Sequence, residues 1–336
     1  MQNSRFRFSF WAIFLCVAMG SLWIYWTRTP LVMDKKIHIS ILQVIEHPAL
    51  DRTRQGIVDG LKEAGLEEGR SMILSYESAQ GNPSLSGQIA TKFVGERPNI
   101  LVGISTPSAQ SLVAAARHTS YPIIFASVTD PLGSKLVTSL ENPTEQVTGV
   151  SNFIDLKPQV ELMKEIVPAL KAVGIIYNPG EANSVTLVKA LKEILPTYGL
   201  TLVEATASKT ADVGDAARRL IGRVGAIFIT NDSTALSAFK SIAHVADDAG
   251  CPLFSSDVDQ VGEGALAAYG PNQYELGRQT ARMILKRLHQ SNAVIPVEFP
   301  KTLELHIDKD AAKRINLTLS PSVLKKAQKI YDHGVS

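Results

Sequence analysis

Short β-rich runs alternate with helical patterns from Lys36 onward, and this alternation restricts the fold more than any other feature of the sequence. Strands separated by helices of about 10 to 15 residues form βαβ units, which build a parallel sheet covered by helices on both faces. The first half therefore predicts a doubly wound α/β lobe. Its predicted strands are 37–45, 72–78, 100–104 and 123–127, and its predicted helices are 50–64, 83–95 and 107–116.

The same alternation restarts after a turn-rich stretch from Asn142 to Asp155, so a second lobe is predicted. Its predicted helices are 156–167, 182–195, 216–223 and 234–248, and its predicted strands are 172–177, 201–207, 226–229 and 252–255. Residues 104–108 are echoed by 229–233, and residues 121–127 by 251–256. Because ligands bind beyond the carboxyl ends of parallel strands, two such lobes facing each other predict a shared ligand cleft.

Composition and motifs exclude several classes of protein. The 34 basic and 32 acidic residues leave a net charge of +2, which gives no electrostatic basis for a nucleic-acid partner. The sequence contains no G-x-S-x-G, P-loop or H-E-x-x-H motif, and its seven histidines lack metal-ligand spacing. The G-x-G-x-x-A match at 262–267 precedes an apolar run, whereas a dinucleotide fingerprint follows a strand. We therefore predict no enzyme activity, catalytic residue, cofactor or metal.

The N-terminus predicts a targeting segment over residues 1–35. Arg5 and Arg7 precede 20 uncharged residues from Phe8 to Thr27, enough for a helix to cross a hydrocarbon core of about 30 Å. One alternative is a signal peptide cleaved near Gly20, and the other is an uncleaved anchor that reaches Trp26. The aromatic residues near position 25 favour the anchor. Both alternatives predict a periplasmic or extracytoplasmic protein, the second with a tether to the inner membrane.

The start of the predicted helix at 107 is suited to an anion. Ser105, Thr106 and Ser108 supply hydroxyls there, and Pro107 fits the first helical turn. The free N–H groups of such a helix end carry partial positive charge. An ordinary N-cap is the alternative explanation for these residues.

Carboxylates follow other strands and predict the binding of an ammonium group. Thr129 and Asp130 end one strand of the first lobe, while Asn231-Asp232-Ser233 and Asp257 end strands of the second. An anion site facing carboxylates suggests a zwitterionic ligand, although each aspartate could instead cap a helix or turn. Glu46 and His47 follow the first strand, as cleft-lining residues or as turn residues.

Six segments together resemble the substrate-binding components of a family of ABC transporters that includes tryptophan- and phenylalanine-binding members. They are residues 41–51, 103–110, 128–131, 149–152, 176–184 and 274–279, within a resemblance that spans about residues 36–325. The resemblance implies a type I periplasmic-binding-protein fold with three crossings between lobes. It places residues 36–152 and 271–298 in lobe 1, and 153–270 and 299–336 in lobe 2. A departure from the family is the long aromatic leader, which lacks a good lipoprotein site because Leu15 precedes Cys16.

The resemblance also implies a set of ligand-facing residues and a set of partners. The implied ligand-binding residues are Gln43, Glu46, His47, Ser105, Thr106, Ser108, Thr129, Asp130, Asn152, Asn183, Asn231, Asp232, Ser233 and Asp257. The implied partners are a small-molecule ligand and the permease and ATPase of an ABC transporter, with membrane attachment through the N-terminal segment.

The residues and this resemblance together imply an extracytoplasmic solute-binding component of an ABC importer that closes on an amino acid such as tryptophan or phenylalanine. Two alternatives remain open, and a third lacks the motifs that it requires. A ligand-sensing ectodomain of the same fold would signal to a membrane partner that is not a transporter. A sugar- or nucleoside-binding protein would keep the fold but change the ligand. A Rossmann-like enzyme would need a nucleophile, a base or a cofactor fingerprint, and the sequence contains none that we recognise.

Overall fold

The computed structural model describes residues 36–290 and 293–334. The predicted targeting segment lies outside these described residues. Within them, no helix combines the length and the apolar character needed to cross a membrane.

Lobe 1 is built on a five-stranded parallel sheet with the strand order β2-β1-β3-β4-β5. The central strands are apolar and fully buried because helices cover both faces of the sheet. The strands are β1 (Ile37–Gln43), β2 (Met72–Ser78), β3 (Ile100–Ile104), β4 (Ile123–Val128) and β5 (Val147–Ser151), and the connecting helices are α1 (Pro48–Glu63), α2 (Pro83–Gly95) and α3 (Thr106–Ala115).

Lobe 2 contains a seven-stranded sheet with the order β12-β11-β10-β9-β8-β6-β7. Its pairs are parallel except β10 with β11, which is antiparallel. The strands are β6 (Ala172–Tyr177), β7 (Thr201–Thr206), β8 (Ala226–Ile229), β9 (Leu253–Ser255), β10 (Ala267–Pro271), β11 (Leu303–Asp308) and β12 (Lys329–Tyr331). The first helices are α4 (Lys157–Ile166), α5 (Ala182–Ile194), α6 (Val213–Leu220), α7 (Ser233–Ser237) and α8 (Phe239–Asp248). These two lobes confirm the predicted α/β fold class.

The predicted single helix at 234–248 is wrong. The chain breaks at Ala238, whose backbone has φ −118° and ψ 24°. Ala238 N donates to Ala235 O, and the Ser237 hydroxyl donates to Thr234 O, so local bonds compete with the regular helical pattern. The turn-rich stretch 142–155 also differs from expectation, because it contains strand β5.

The chain returns to lobe 1 after β10. Helix α9 (Gln273–His289) packs along α1, and Gly56 allows the two helices to approach closely. A Cβ atom at Gly56 would lie 2.1 Å from Tyr274 O, so no larger residue fits there without moving α9. The chain then re-enters lobe 2 at β11, followed by α10 (Lys309–Arg314) and α11 (Pro321–Lys326).

Candidate functional site

The carboxyl ends of the strands in the two lobes face each other across a closed cleft. Ser105, after β3, places its Oγ 3.5 Å from Oγ of Ser233, at the start of α7. Asp130, after β4, accepts a 3.0 Å hydrogen bond through Oδ2 from the Thr186 hydroxyl of α5. The two lobes therefore contact each other at two points along the cleft.

His47 makes a third contact between the lobes. It is the N-cap of α1, and its Nδ1 lies 3.3 Å from Ala49 N. Its Nε2 lies 2.7 Å from Nε2 of Gln260 in lobe 2. Burial lowers the pKa of His47 to about 4. The imidazole is therefore neutral at physiological pH in the closed cleft.

The start of α3 faces this cleft with unused hydrogen-bonding groups. Thr106 and Ser108 are buried, and neither Thr106 Oγ1 nor Ser108 Oγ has a hydrogen-bond partner among the described residues. Ser105 precedes the helix but makes no capping hydrogen bond. Buried hydroxyls are nearly always satisfied in proteins, so these two suggest a bound partner between the lobes.

The backbone at this position is strained. Ser105 has φ 78° and ψ 158°, in a region that is otherwise almost restricted to glycine, at a cost of about 1–3 kcal/mol. Strain of this kind concentrates at binding sites, where the surrounding structure holds it. Gly103 contributes to the geometry, because a Cβ there would lie 2.7 Å from Ala109 Cα. The close approach of β3 and α3 thus fixes the helix start at the edge of the sheet.

Lobe 2 also presents unused polar atoms. Asn183, at the start of α5, donates through Nδ2 to Asn231 O at 2.6 Å, and its Oδ1 has no partner among the described residues. Two further buried atoms, Thr230 Oγ1 at the end of β8 and Gln159 Nε2 in α4, also have no hydrogen-bond partner among the described residues. In lobe 1, Gln43 donates to Ile45 O and Asp51, while its Oε1 remains unpartnered.

Asp257 is a buried carboxylate at the end of β9. Its Oδ1 accepts from Asp259 N at 3.1 Å, and its Oδ2 accepts from Gln260 Nε2 at 3.3 Å. Oδ2 also lies 3.9 Å from His47 Nδ1, across the cleft. Burial raises the pKa of Asp257 to about 6, so a nearby cation would stabilise its ionised form.

Asp232 is occupied by contacts within lobe 2. It caps α7 by accepting from Ala235 N through Oδ1 at 2.6 Å. Its Oδ2 accepts from Asn178 N and from the Ser184 hydroxyl. Burial, reinforced by the charge of Glu181, raises the pKa of Asp232 to about 7. These contacts give Asp232 a role in holding the loops of lobe 2 together.

The remaining predicted positions lie around the same cleft. Thr129 donates through its hydroxyl to Asn152 Oδ1 at 3.1 Å, beside the first crossing between lobes. Glu46 is exposed. It lines a cavity of about 260 Å³ that also contacts His47 and, from lobe 2, Leu236, Phe239 and Gln260.

Four residues at this cleft were not predicted. Gln260 contacts His47, Thr186 contacts Asp130, and Gln159 accepts from the Ser256 hydroxyl at 2.8 Å. Glu181 accepts from Ser233 N and Thr234 N, so it binds the start of α7. Of these four, only Gln260 could have been recognised from the sequence. It lies three residues after Asp257, in the turn that follows strand β9.

Comparisons with known proteins identify relatives with the same two-lobed fold. The family model described as ABC transporter substrate binding protein matches residues 38–331. A tyrosine-binding protein of Clostridioides difficile is 31% identical over 284 residues, covering 84% of this chain and 82% of its own. A crystal structure of a conserved domain protein from Vibrio cholerae is 42% identical with a TM-score of 0.86, covering 88% of this chain and 100% of that one.

Two further structures differ in ligand state. A domain from Streptococcus pneumoniae in complex with L-Trp is 32% identical and superposes with a TM-score of 0.84, over 88% of this chain and 100% of that one. The other is the ligand-free, open structure of a substrate-binding protein with adhesive properties from Clostridium difficile. It is 30% identical with a TM-score of 0.66, and the match covers 88% of this chain and 99% of that one. At similar identity, the closed cleft described above matches the ligand-bound structure better.

Two of these relatives are described as binding proteins and a third was solved with L-Trp, which agrees with the prediction that this chain is not an enzyme. They carry two α/β lobes of the type I periplasmic-binding-protein fold. The family model also extends over nearly all of the described residues. This chain therefore belongs to the ABC transporter substrate-binding protein family.

Proposed function

We propose that this protein binds an aromatic amino acid between its lobes outside the cytoplasm and delivers it to the permease and ATPase of an ABC importer. The observation that carries the proposal is the pair of buried, unpartnered hydroxyls of Thr106 and Ser108 at the start of α3. They lie in a cleft that lobe 2 closes through Ser233. A ligand held there is enclosed by both lobes.

The start of α3 binds the ligand's carboxylate in this proposal. The first N–H groups of a helix are free and carry partial positive charge, which favours an anion without a basic side chain. Thr106 Oγ1 and Ser108 Oγ add two donors that the protein leaves unused. Hydrogen bonds to a charged group contribute about 1.5–3 kcal/mol each.

Asp257 binds the ammonium group. Asp232 is less suitable, because its two oxygens already accept three hydrogen bonds within lobe 2. Asp257 accepts two, one of them long at 3.3 Å, and its burial disfavours the charged form. An ammonium beside it would compensate that burial.

The aromatic side chain of the ligand is supported by the relatives. One is a tyrosine-binding protein, and another is a domain solved with L-Trp. Both are more than 30% identical to this chain over most of its length. Tryptophan, phenylalanine and tyrosine are therefore the first ligands to test.

Closure uses the crossings between the lobes as a hinge. We assign residues 36–152 with 271–298 to one moving body and 153–270 with 299–336 to the other. A ligand that contacts both bodies shifts the equilibrium towards the closed form. The leader of residues 1–35 directs export and retains the protein at the inner membrane.

Titration calorimetry with matched ligands tests this function on the full chain in mild detergent. L-tryptophan is compared with tryptamine, which lacks the carboxylate, and with indole-3-propionate, which lacks the ammonium. We expect L-tryptophan to bind at least about a hundredfold more tightly than either analogue, since each lacks one charged contact. Tighter binding of a sugar or a nucleoside would refute the amino-acid assignment.

A further inference from the structure

Three side chains of lobe 2 each leave one buried polar atom without a hydrogen-bond partner in the part of the chain that the structure describes. The atoms are Nε2 of Gln159 in α4, Oδ1 of Asn183 in α5 and Oγ1 of Thr230, directly after β8. None of the three residues is more than 2% exposed. Because buried polar atoms are nearly always paired, these three indicate a group that the protein itself does not supply.

Thr230 and Gln159 lie side by side on one face of the lobe 2 sheet. Phe228 pairs with Phe254 across β8 and β9, and both side chains belong to the core that α4 and α5 cover. Side chains alternate along a strand, so Thr230 and Ser256, two residues further on, point to the same face. The Ser256 hydroxyl donates to Gln159 Oε1 at 2.8 Å. This bond holds the Gln159 amide beside the end of β8, next to Thr230.

Asn183 extends this group of atoms along the end of β8. Its Nδ2 donates at 2.6 Å to the backbone oxygen of Asn231, the residue after Thr230. A carbonyl oxygen can only accept, so this bond fixes the orientation of the Asn183 amide and leaves Oδ1 as its free end. The three atoms therefore offer a donor from Gln159, an acceptor from Asn183 and a hydroxyl that can do either.

An uncharged group suits these atoms better than either charged end of an amino acid does. The adjoining carboxylates, Glu181 and Asp232, are already used. Glu181 accepts from Ser233 N and Thr234 N, and Asp232 accepts three hydrogen bonds within lobe 2. Neither carboxylate is therefore free to bind an ammonium group, and the charge of Glu181 would repel a carboxylate.

We propose that Gln159, Asn183 and Thr230 bind a hydroxyl group on the ring of the ligand, so that this chain selects tyrosine among the aromatic amino acids. These three side chains are here called the hydroxyl subsite. The inference rests on the proposed function, in which α3 binds the carboxylate and Asp257 the ammonium. A phenolic hydroxyl accepts from Gln159 and donates to Asn183 or Thr230. The indole N–H of tryptophan only donates, and the ring of phenylalanine does neither.

The position of the hydroxyl subsite relative to Asp257 fits the length of tyrosine. Asp257 follows β9, Thr230 follows the neighbouring strand β8, and Asn183 begins the helix after β6, the next strand in the sheet. Neighbouring strands lie about 4.8 Å apart, so the subsite is one to two strand spacings, or about 5–10 Å, from Asp257. Tyrosine matches this arrangement, because its ammonium and its hydroxyl lie at opposite ends of the molecule.

Titration calorimetry of the full chain in mild detergent compares L-tyrosine with L-phenylalanine, which differ only in the hydroxyl. We expect tyrosine to bind at least about a hundredfold more tightly, because phenylalanine leaves the polar atoms of the subsite unpaired. Thr230→Val and Gln159→Met each keep the side-chain size but remove one polar group. The matched control is Thr280→Val, which changes a buried threonine whose hydroxyl donates to Leu276 O inside α9. L-tryptophan and the melting temperature are measured on the same proteins.

Each subsite variant should weaken tyrosine binding about tenfold and leave phenylalanine binding unchanged, whereas the control should keep the parental preference. Thr230→Val should also keep the parental melting temperature, because the Thr230 hydroxyl has no partner to lose among the described residues. It therefore tests the subsite even if Gln159→Met, which removes the acceptor of the Ser256 hydroxyl, is unstable.

Three results would overturn the hydroxyl subsite alone: equal binding of tyrosine and phenylalanine by the parent, tighter binding of tryptophan than of tyrosine, or an equal loss for tyrosine and phenylalanine in Thr230→Val. A control variant that loses the preference for tyrosine would overturn it as well. If the parent binds none of the three aromatic amino acids, the proposed function fails and the subsite with it.

Discussion

Nε2 of His47 in lobe 1 lies 2.7 Å from Nε2 of Gln260 in lobe 2, although 213 residues separate the two along the chain. Both side chains are buried, and Asp257 lies directly behind them, 3.9 Å from the imidazole. The contact therefore exists only when the lobes are closed. It connects lobe closure to the carboxylate assigned to the ligand's ammonium.

Replacing Gln260 by alanine should weaken tryptophan binding about fivefold, because the closed form loses one buried hydrogen bond of about 0.5–1.5 kcal/mol. Titration calorimetry measures the affinity. Gln146→Ala is the matched control, since the Gln146 side chain donates to Ala116 O and Thr119 O, both within lobe 1. Equal effects of the two variants would argue against a role for Gln260 in closure.

Thr106→Val should weaken tryptophan binding about tenfold while leaving tryptamine binding unchanged, because valine keeps the shape but removes a donor to the carboxylate. The Thr106 hydroxyl has no partner among the described residues, so its loss should hardly affect the melting temperature. Calorimetry with both ligands gives the comparison. An equal loss of affinity for tryptamine would show that the Thr106 hydroxyl does not bind the ligand's carboxylate.

The sequence predicted much of this cleft, because strand ends in a parallel sheet converge at one edge. Ser105, Thr106 and Asp257 were recognised as polar residues that follow apolar runs. Gln260 and Thr186 were not, since their partners in the other lobe depend on how the lobes meet, which no local pattern records. Strand β5 was missed for a local reason, because its five residues include Thr148, Gly149 and Ser151.

The two buried aspartates should behave differently when each is replaced by asparagine. Asp232→Asn should lower the free energy of unfolding by about 1–3 kcal/mol, since an amide cannot accept all three hydrogen bonds made to its carboxylate. Asp257→Asn should instead weaken tryptophan binding about tenfold, or 1.4 kcal/mol, without changing the binding of indole-3-propionate. Urea unfolding and calorimetry on both variants separate the roles. Parental stability of Asp232→Asn, or parental tryptophan binding by Asp257→Asn, would contradict this assignment.

The strained backbone at Ser105 predicts an unusual order of stability. At φ 78° and ψ 158°, glycine is unstrained whereas alanine keeps the strain, so Ser105→Gly should be more stable than Ser105→Ala by about 1 kcal/mol. Both variants lose the hydroxyl that faces Ser233, so the comparison isolates the backbone. Urea unfolding of the ligand-free chains measures it, and a more stable alanine variant would show that the residue is relaxed.

Ligand affinity should fall in acid because closure buries His47 in its neutral form. In the open protein the pKa of a solvated histidine is about 6.5. In the closed cleft, burial lowers the pKa of His47 to about 4. The negative charges of Asp259, Asp51 and Glu263 raise this pKa, but by less than burial lowers it. The favourable contribution of neutral His47 is therefore complete above pH 6.5 and is lost as the pH falls towards 4.

Comparison with His47→Gln isolates this effect, because burial also raises the pKa values of Asp257 and Asp259, to about 6 each, and both carboxylates remain in the variant. Between pH 7.5 and 5.5 the parent should lose about tenfold more affinity for tryptophan than His47→Gln does. A protonated ring would also direct an N–H at Gln260 Nε2, which itself donates to Nε2 of the neutral ring. Calorimetry at both pH values decides the question, and parallel profiles for the two proteins would show that His47 does not titrate with closure.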